Sequence, residues 1–99
     1  MNDLARETLV RAALNGTRQI KNALQDNEGG RCAIGVLMDA YAIRHGISGP
    51  EKWWIPGDLL REEYDLHGSQ WTEIIWRNNE LGEDFLTIAR KVGTEVDQS

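Results

Sequence analysis

The sequence predicts a compact all-α domain of four or five short helices around one buried central helix. Three observations carry this. The run from Gly29 to Ile43 is the most apolar stretch of the chain, and its helical wheel is apolar nearly all round, as in a helix enclosed by others. The flanking segments repeat apolar residues at the helical period, and no stretch alternates as a half-buried strand does. The 99 residues form a single domain, 1–99, long enough to bury a core without disulfides or metal.

The first helix is expected over about 3–14. Leu4, Val10, Ala13, Leu14, Ile20 and Leu24 share one side of a wheel, but Gly16 interrupts it. A second helical or irregular piece therefore runs to Leu24, and Thr17 could cap a restart. Asp26 to Gly30 is a turn, and residues 17–31 could include a short extended piece. The central helix covers about 32–44, with Ile34, Val36, Leu37, Ala40, Tyr41 and Ile43 inward. Its remaining face carries Cys32, Gly35, Asp39 and Ala42, small enough for another backbone to approach closely.

Residues 46–57 hold both prolines and three glycines and cannot form a regular helix. Asp58 can cap a short helix over about 58–66, and Ser69 the next, over about 70–79. In the latter, Trp71, Ile74, Ile75 and Asn78 make the stripe and Trp76 points elsewhere. Leu81-Gly82 closes it with glycine in the left-handed cap. The last helix, about 84–94, puts Phe85, Ile88, Ala89, Val92 and Val96 on one face, and the chain should fray beyond Val96.

Formal net charge is −5, unevenly divided: residues 1–50 carry +1 and residues 51–99 carry −6. Acidity opposes generic nucleic-acid binding, which draws its affinity from phosphate neutralisation. It suits a protein partner with a basic surface, or simply keeps the chain soluble. One cysteine allows no internal disulfide, and with no secretory leader and no apolar run of spanning length the expected location is the cytoplasm, away from membranes.

The order of landmarks resembles small phage, prophage and bacterial proteins with a Cys-x-Leu/Ile-Gly-x-Leu core block. The matching residues are Ala13-Leu14-Asn15-Gly16 with Gln19, Cys32-Ala33-Ile34-Gly35-Val36-Leu37, Trp54-Ile55-Pro56, Asn78-Asn79 and Phe85-Leu86-Thr87-Ile88-Ala89. This chain has Ala33 where those proteins often have a second cysteine, and Asn79 where they have Asp. The resemblance implies a mobile-element setting, such as a phage accessory protein that inhibits a host defence complex. It brings no activity or cofactor.

Three candidate sites follow. Four tryptophans fall between positions 53 and 76. Trp53, Trp54 and Trp76, ringed by Glu51, Glu73, Glu80, Glu83 and Asp84, would make a protein interface with an aromatic hot spot and an acidic rim. The other outcome is that the Trp53-Trp54 loop folds back and both rings complete the core.

The second candidate is an anion niche at the start of the central helix. Arg18, Lys21, Arg31 and the backbone at Cys32 could capture a small phosphorylated ligand, such as a nucleotide messenger. The third is Cys32 as a nucleophile, activated by the helix dipole. On one helix His45 would lie about 20 Å from it, which leaves His67 as the only partner through folding. The alternative for Cys32 is a small buried hydrophobe. No pair of residues has metal-ligand spacing, and a Phe85–Gly93 helix-turn-helix would lack its recognition helix.

Overall fold

Residues 1–92 are described by a computed structural model of the chain. The elements are α1 (Asp3–Leu14), α2 (Ala33–His45), a short 3-10 helix (Gly49–Trp54), α3 (Gly57–Glu63), α4 (Gly68–Asn79) and α5 (Phe85–Lys91). Among the described residues there is no strand, only isolated bridges from Arg31 to Gln19 and Gln25. The fold is a small all-α bundle.

α2 is the hub, in contact with α1, the 3-10 helix, α3 and α4, while α1 also packs along α5. Its buried residues run from Ala33 to Met38 and on to Tyr41 and Ala42, so its whole first half is enclosed. The core they form with Leu9, Leu60, Tyr64, Ile74, Phe85, Ile88 and Val92 is continuous. Ile43 departs from the expected pattern: it follows the buried Tyr41 and Ala42 on α2 but turns away from the core and is 81% exposed. Leu14, grouped with the inward side of the first helix, is exposed in the last turn of α1.

Helix ends follow local chemistry. The Asn2 side chain accepts the Ala5 N–H and opens α1, and Asp84 accepts from Thr87 N and opens α5. Cys32 stands outside α2 as its N-cap; Gly46, at φ 68°, closes it in the left-handed region that favours glycine. Two expected caps are not used. α3 starts from Pro56 rather than Asp58 and ends at Glu63 rather than residue 66. α4 starts at Gly68, and Gln70, not Ser69, serves its entry by accepting the His67 N–H. The same Gln70 oxygen accepts from the Met1 ammonium at 3.0 Å, so one side chain ties the chain start to α4.

The Pro/Gly segment after α2 is not wholly irregular. Pro50 lies in its first turn and Gly49–Trp54 winds one short 3-10 helix on α2. α5 ends at Lys91, short of the expected 94, because the backbone turns extended at the buried Val92; the fraying expected beyond Val96 lies outside the described residues.

Residues 15–32 form no second helix. They fold into a tight irregular loop held by backbone bonds from Ile20 N to Arg31 O, Arg31 N to Arg18 O and Cys32 N to Leu24 O. Asp26 organises its tip by accepting the N–H groups of Glu28 and Gly30. The loop lies directly on α2. A Cβ at Gly35 would stand 2.1 Å from the Leu24 carbonyl oxygen, so only glycine admits this approach.

Candidate functional site

α4 and the turn after it present one exposed tryptophan of the acidic half. Trp76 lies off the buried stripe of Ile74 and Asn78 and is 48% exposed. Its carbonyl accepts the N–H groups of both Glu80 and Leu81, which fixes the turn against the helix end. Leu81 and Leu86 are also about half exposed, and Ile75 somewhat less, so α4, the turn and α5 all show apolar side chains to solvent.

The acids around Trp76 are not equivalent. Arg77 Nε donates to Glu73 at 2.7 Å, and Arg77 Nη1 donates to Glu83 at 3.0 Å. Lys91 adds a further contact to Glu83 at 3.4 Å. Burial opposes the charge of Glu83, but hydrogen bonding and charge from Arg77, then Lys91, outweigh it and lower its pKa. Glu73 and Glu83 are therefore a structural clamp between α4 and the start of α5. Asp84 is occupied by Thr87, whose hydrogen bonds lower its pKa. Glu80, exposed at the C-cap of α4, keeps the solvent-facing position expected of a rim.

The tryptophan pair is divided. Trp54 is 71% exposed, whereas Trp53 is half buried against the core. The Arg31 guanidinium carbon lies 5.0 Å from the Trp53 ring centroid and Lys52 Nζ lies 5.3 Å from it. Both cations bind one carboxylate: Arg31 Nε donates to Asp39 Oδ2, and Lys52 Nζ to Asp39 Oδ1 at 3.0 Å. Glu51 is exposed beside them on the 3-10 helix.

The expected anion niche is filled by the protein itself. At the start of α2 the Ala33 N–H donates to Asn78 Oδ1 at 3.0 Å, and the Gly35 N–H donates to Cys32 Sγ at 3.4 Å. Arg18 is drawn away to Asp26 and Glu28, and exposed Lys21 lies against Gly82. Arg31 turns to Asp39. The four residues do not converge on one anion.

Cys32 is buried, and its sulfur accepts an amide rather than facing a base. His45 stacks on Tyr41 with ring centroids 3.9 Å apart and meets Glu63 at 3.1 Å. His67 is exposed ahead of α4. Among the described residues no three His, Cys, Asp or Glu side chains are grouped to hold a metal ion, and no helix is long and apolar enough to cross a membrane.

Sequence reasoning placed Asn78 on an apolar stripe; the structure makes it a buried polar hub. Its Oδ1 accepts from Gln19 Nε2 (2.8 Å) and Ala33 N, and its Nδ2 donates to Ile20 O (2.8 Å) and Asn79 Oδ1 (2.9 Å). Asn79 Oδ1 also accepts the Asn22 N–H. Gln19, Ala33 and Asn78-Asn79 thus meet in one network. An asparagine on an apolar stripe was the available signal, since a buried amide must find partners. Comparison with protein-family models, with curated proteins and with solved structures finds no match.

Proposed function

We propose that this chain is a non-catalytic binding protein whose acidic, tryptophan-bearing second half engages a basic partner protein and inhibits or modulates it. The observation that carries this reading is the exposure of Trp76 on α4, beside half-exposed Leu81 and the solvent-facing Glu80. A large indole left in water on a small domain is the typical anchor of an interface. Trp54, on the 3-10 helix, is a second exposed indole of this half. Because Arg77 and Lys91 together offset Glu73 and Glu83, the long-range acidity of this half rests on the exposed acids, Glu80 among them. That acidity steers a basic partner, and burial of the indole then holds it.

In the mobile-element setting implied by the resemblance, the partner is a host defence or nucleic-acid-handling complex in the cytoplasm of the host cell. The buried, amide-capped Cys32 supports a structural role over a nucleophilic one. The test is capture from host lysate with the wild-type chain and with Trp76→Ala/Glu80→Lys. The wild type should retain a basic protein that the double variant loses and that elutes with rising salt. Equal capture by both chains would refute the surface.

A further inference from the structure

A separate cleft, whose lining does not include Trp76, draws on both halves of the sequence. The 25–31 loop and the 3-10 helix face each other across a cleft of about 470 Å³, lined by Gln25, Asn27, Gly29, Arg31, Lys52 and Trp53 among others. That volume falls in the range of small-ligand sites, roughly 300–1,000 Å³. Two features of its chemistry are specific. Arg31 and Lys52 share a single ion-pair partner, Asp39, so these three groups together carry one positive charge, and the exposed Glu51 carboxylate lies at the Gly49 wall of the cleft. Both cations are largely shielded from solvent, where an anion is bound more strongly than at an open surface. Their donors are also not used up. Arg31 commits Nε to Asp39 and Nη1 to the Gly30 carbonyl, which leaves Nη2, and Lys52 commits one of its three N–H bonds.

The remaining walls suit a ring. The half-buried Trp53 indole lines the cleft with Arg31 and Lys52 over its ring, so an aromatic wall stands directly beside the two cations. The Gln25 side-chain oxygen is held by the Asn27 N–H, which leaves the Gln25 amide nitrogen as a donor at the mouth. At Gly29, with φ 88°, no atom lies within 4 Å of where a Cβ would be, so the loop stays open there.

We infer that this cleft binds a small anion carrying a flat heterocycle, of the nucleoside monophosphate class: Arg31 and Lys52 take the phosphate and Trp53 takes the ring. The site differs from the filled niche at the start of α2, because Arg31 acts here with Lys52 and not with Arg18 or Lys21. It is independent of the partner surface around Trp76.

The experiment is titration of the ¹⁵N-labelled full chain with adenosine 5′-monophosphate, inorganic phosphate and adenosine in parallel. The monophosphate should shift the Gln25, Asn27, Gly29 and Lys52 amides and the Trp53 indole N–H. Phosphate and adenosine should each bind more weakly. Lys52→Gln, which leaves the Arg31–Asp39 pair in place, should weaken the monophosphate about tenfold, the usual scale for one charged hydrogen bond. Trp53→Leu should reduce the monophosphate to the affinity of phosphate. The inference is overturned if millimolar monophosphate moves none of these wild-type signals, if phosphate or adenosine alone binds as tightly, or if folded Lys52→Gln binds unchanged. The wild-type shift map decides the question even if a variant does not fold.

Discussion

Replacing Asn78 by alanine tests the network that joins three parts of the chain. Asn78 is 2% exposed and takes part in four hydrogen bonds. Two of its partners keep another bond after truncation: Gln19 Nε2 still reaches the Glu83 carbonyl, and Asn79 Oδ1 still accepts from Asn22. The other two, the Ala33 N–H and the Ile20 carbonyl, lose their side-chain partner inside the protein. Each orphaned buried group costs about 1–3 kcal/mol, so the pair accounts for roughly 2–6 kcal/mol. Total stability of a domain is about 5–15 kcal/mol. The expected loss is therefore about 4 kcal/mol, or a fall in Tm on the order of 20 °C. Urea unfolding followed by tryptophan fluorescence measures it, with the midpoint shifted and the slope unchanged. Amide exchange at Ala33 should speed up more than exchange in α5. A loss below about 1 kcal/mol would refute the argument, since that is the worth of one ordinary hydrogen bond and not of two orphans.

Two further expectations rest on single contacts. Gly35→Ala should cost about 3 kcal/mol or prevent folding, because its Cβ meets the Leu24 backbone carbonyl at 2.1 Å; Gly46→Ala, strained only in φ, should cost about 1 kcal/mol, and equal losses in urea melts would remove the steric explanation. Asp26 is held at a pKa of about 2 by the Glu28 N–H first, then by Arg18 and the Gly30 N–H. Its folded pKa lies below the unfolded value of 3.8, so its contribution is present above about pH 4 and is lost as pH falls towards 2. Asp26→Asn should flatten the decline of Tm with acid over that window, and an unchanged slope would count against the Asp26 turn as its source.

How much was legible in advance differs from element to element. α1 spans the expected residues, but its buried residues are Ala5, Leu9 and Ala12 and not the side bearing Leu4, Val10, Ala13 and Leu14, while α2 differs only by a shift of one residue. The helix ends are local matters: the Asn2 side chain accepts the Ala5 N–H three residues on, and Gly46 is the residue that tolerates φ 68°. The Glu73–Arg77 clamp was also within reach, as an i,i+4 pair on one helix. Counting Glu73 and Glu83 as a free acidic rim passed over it. The anion niche failed for a different reason. Its free N–H groups were inferred from α2 alone, and the side chain that fills one of them, Asn78, comes from α4.

By itself the sequence determined the helical class, the central place of α2 and a face of small residues, Gly35 among them, that allows another backbone close, because period, capping and side-chain volume act over a few residues. Only the tertiary structure decided which backbone approaches Gly35, which acids remain in solvent, and that Trp53 is half buried while Trp54 is exposed. It also brought Arg31, Lys52 and Asp39 together. The physical reason is common to all of these. Burial and charge pairing belong to groups far apart in the chain, and their sign is set by what the folded core places beside them.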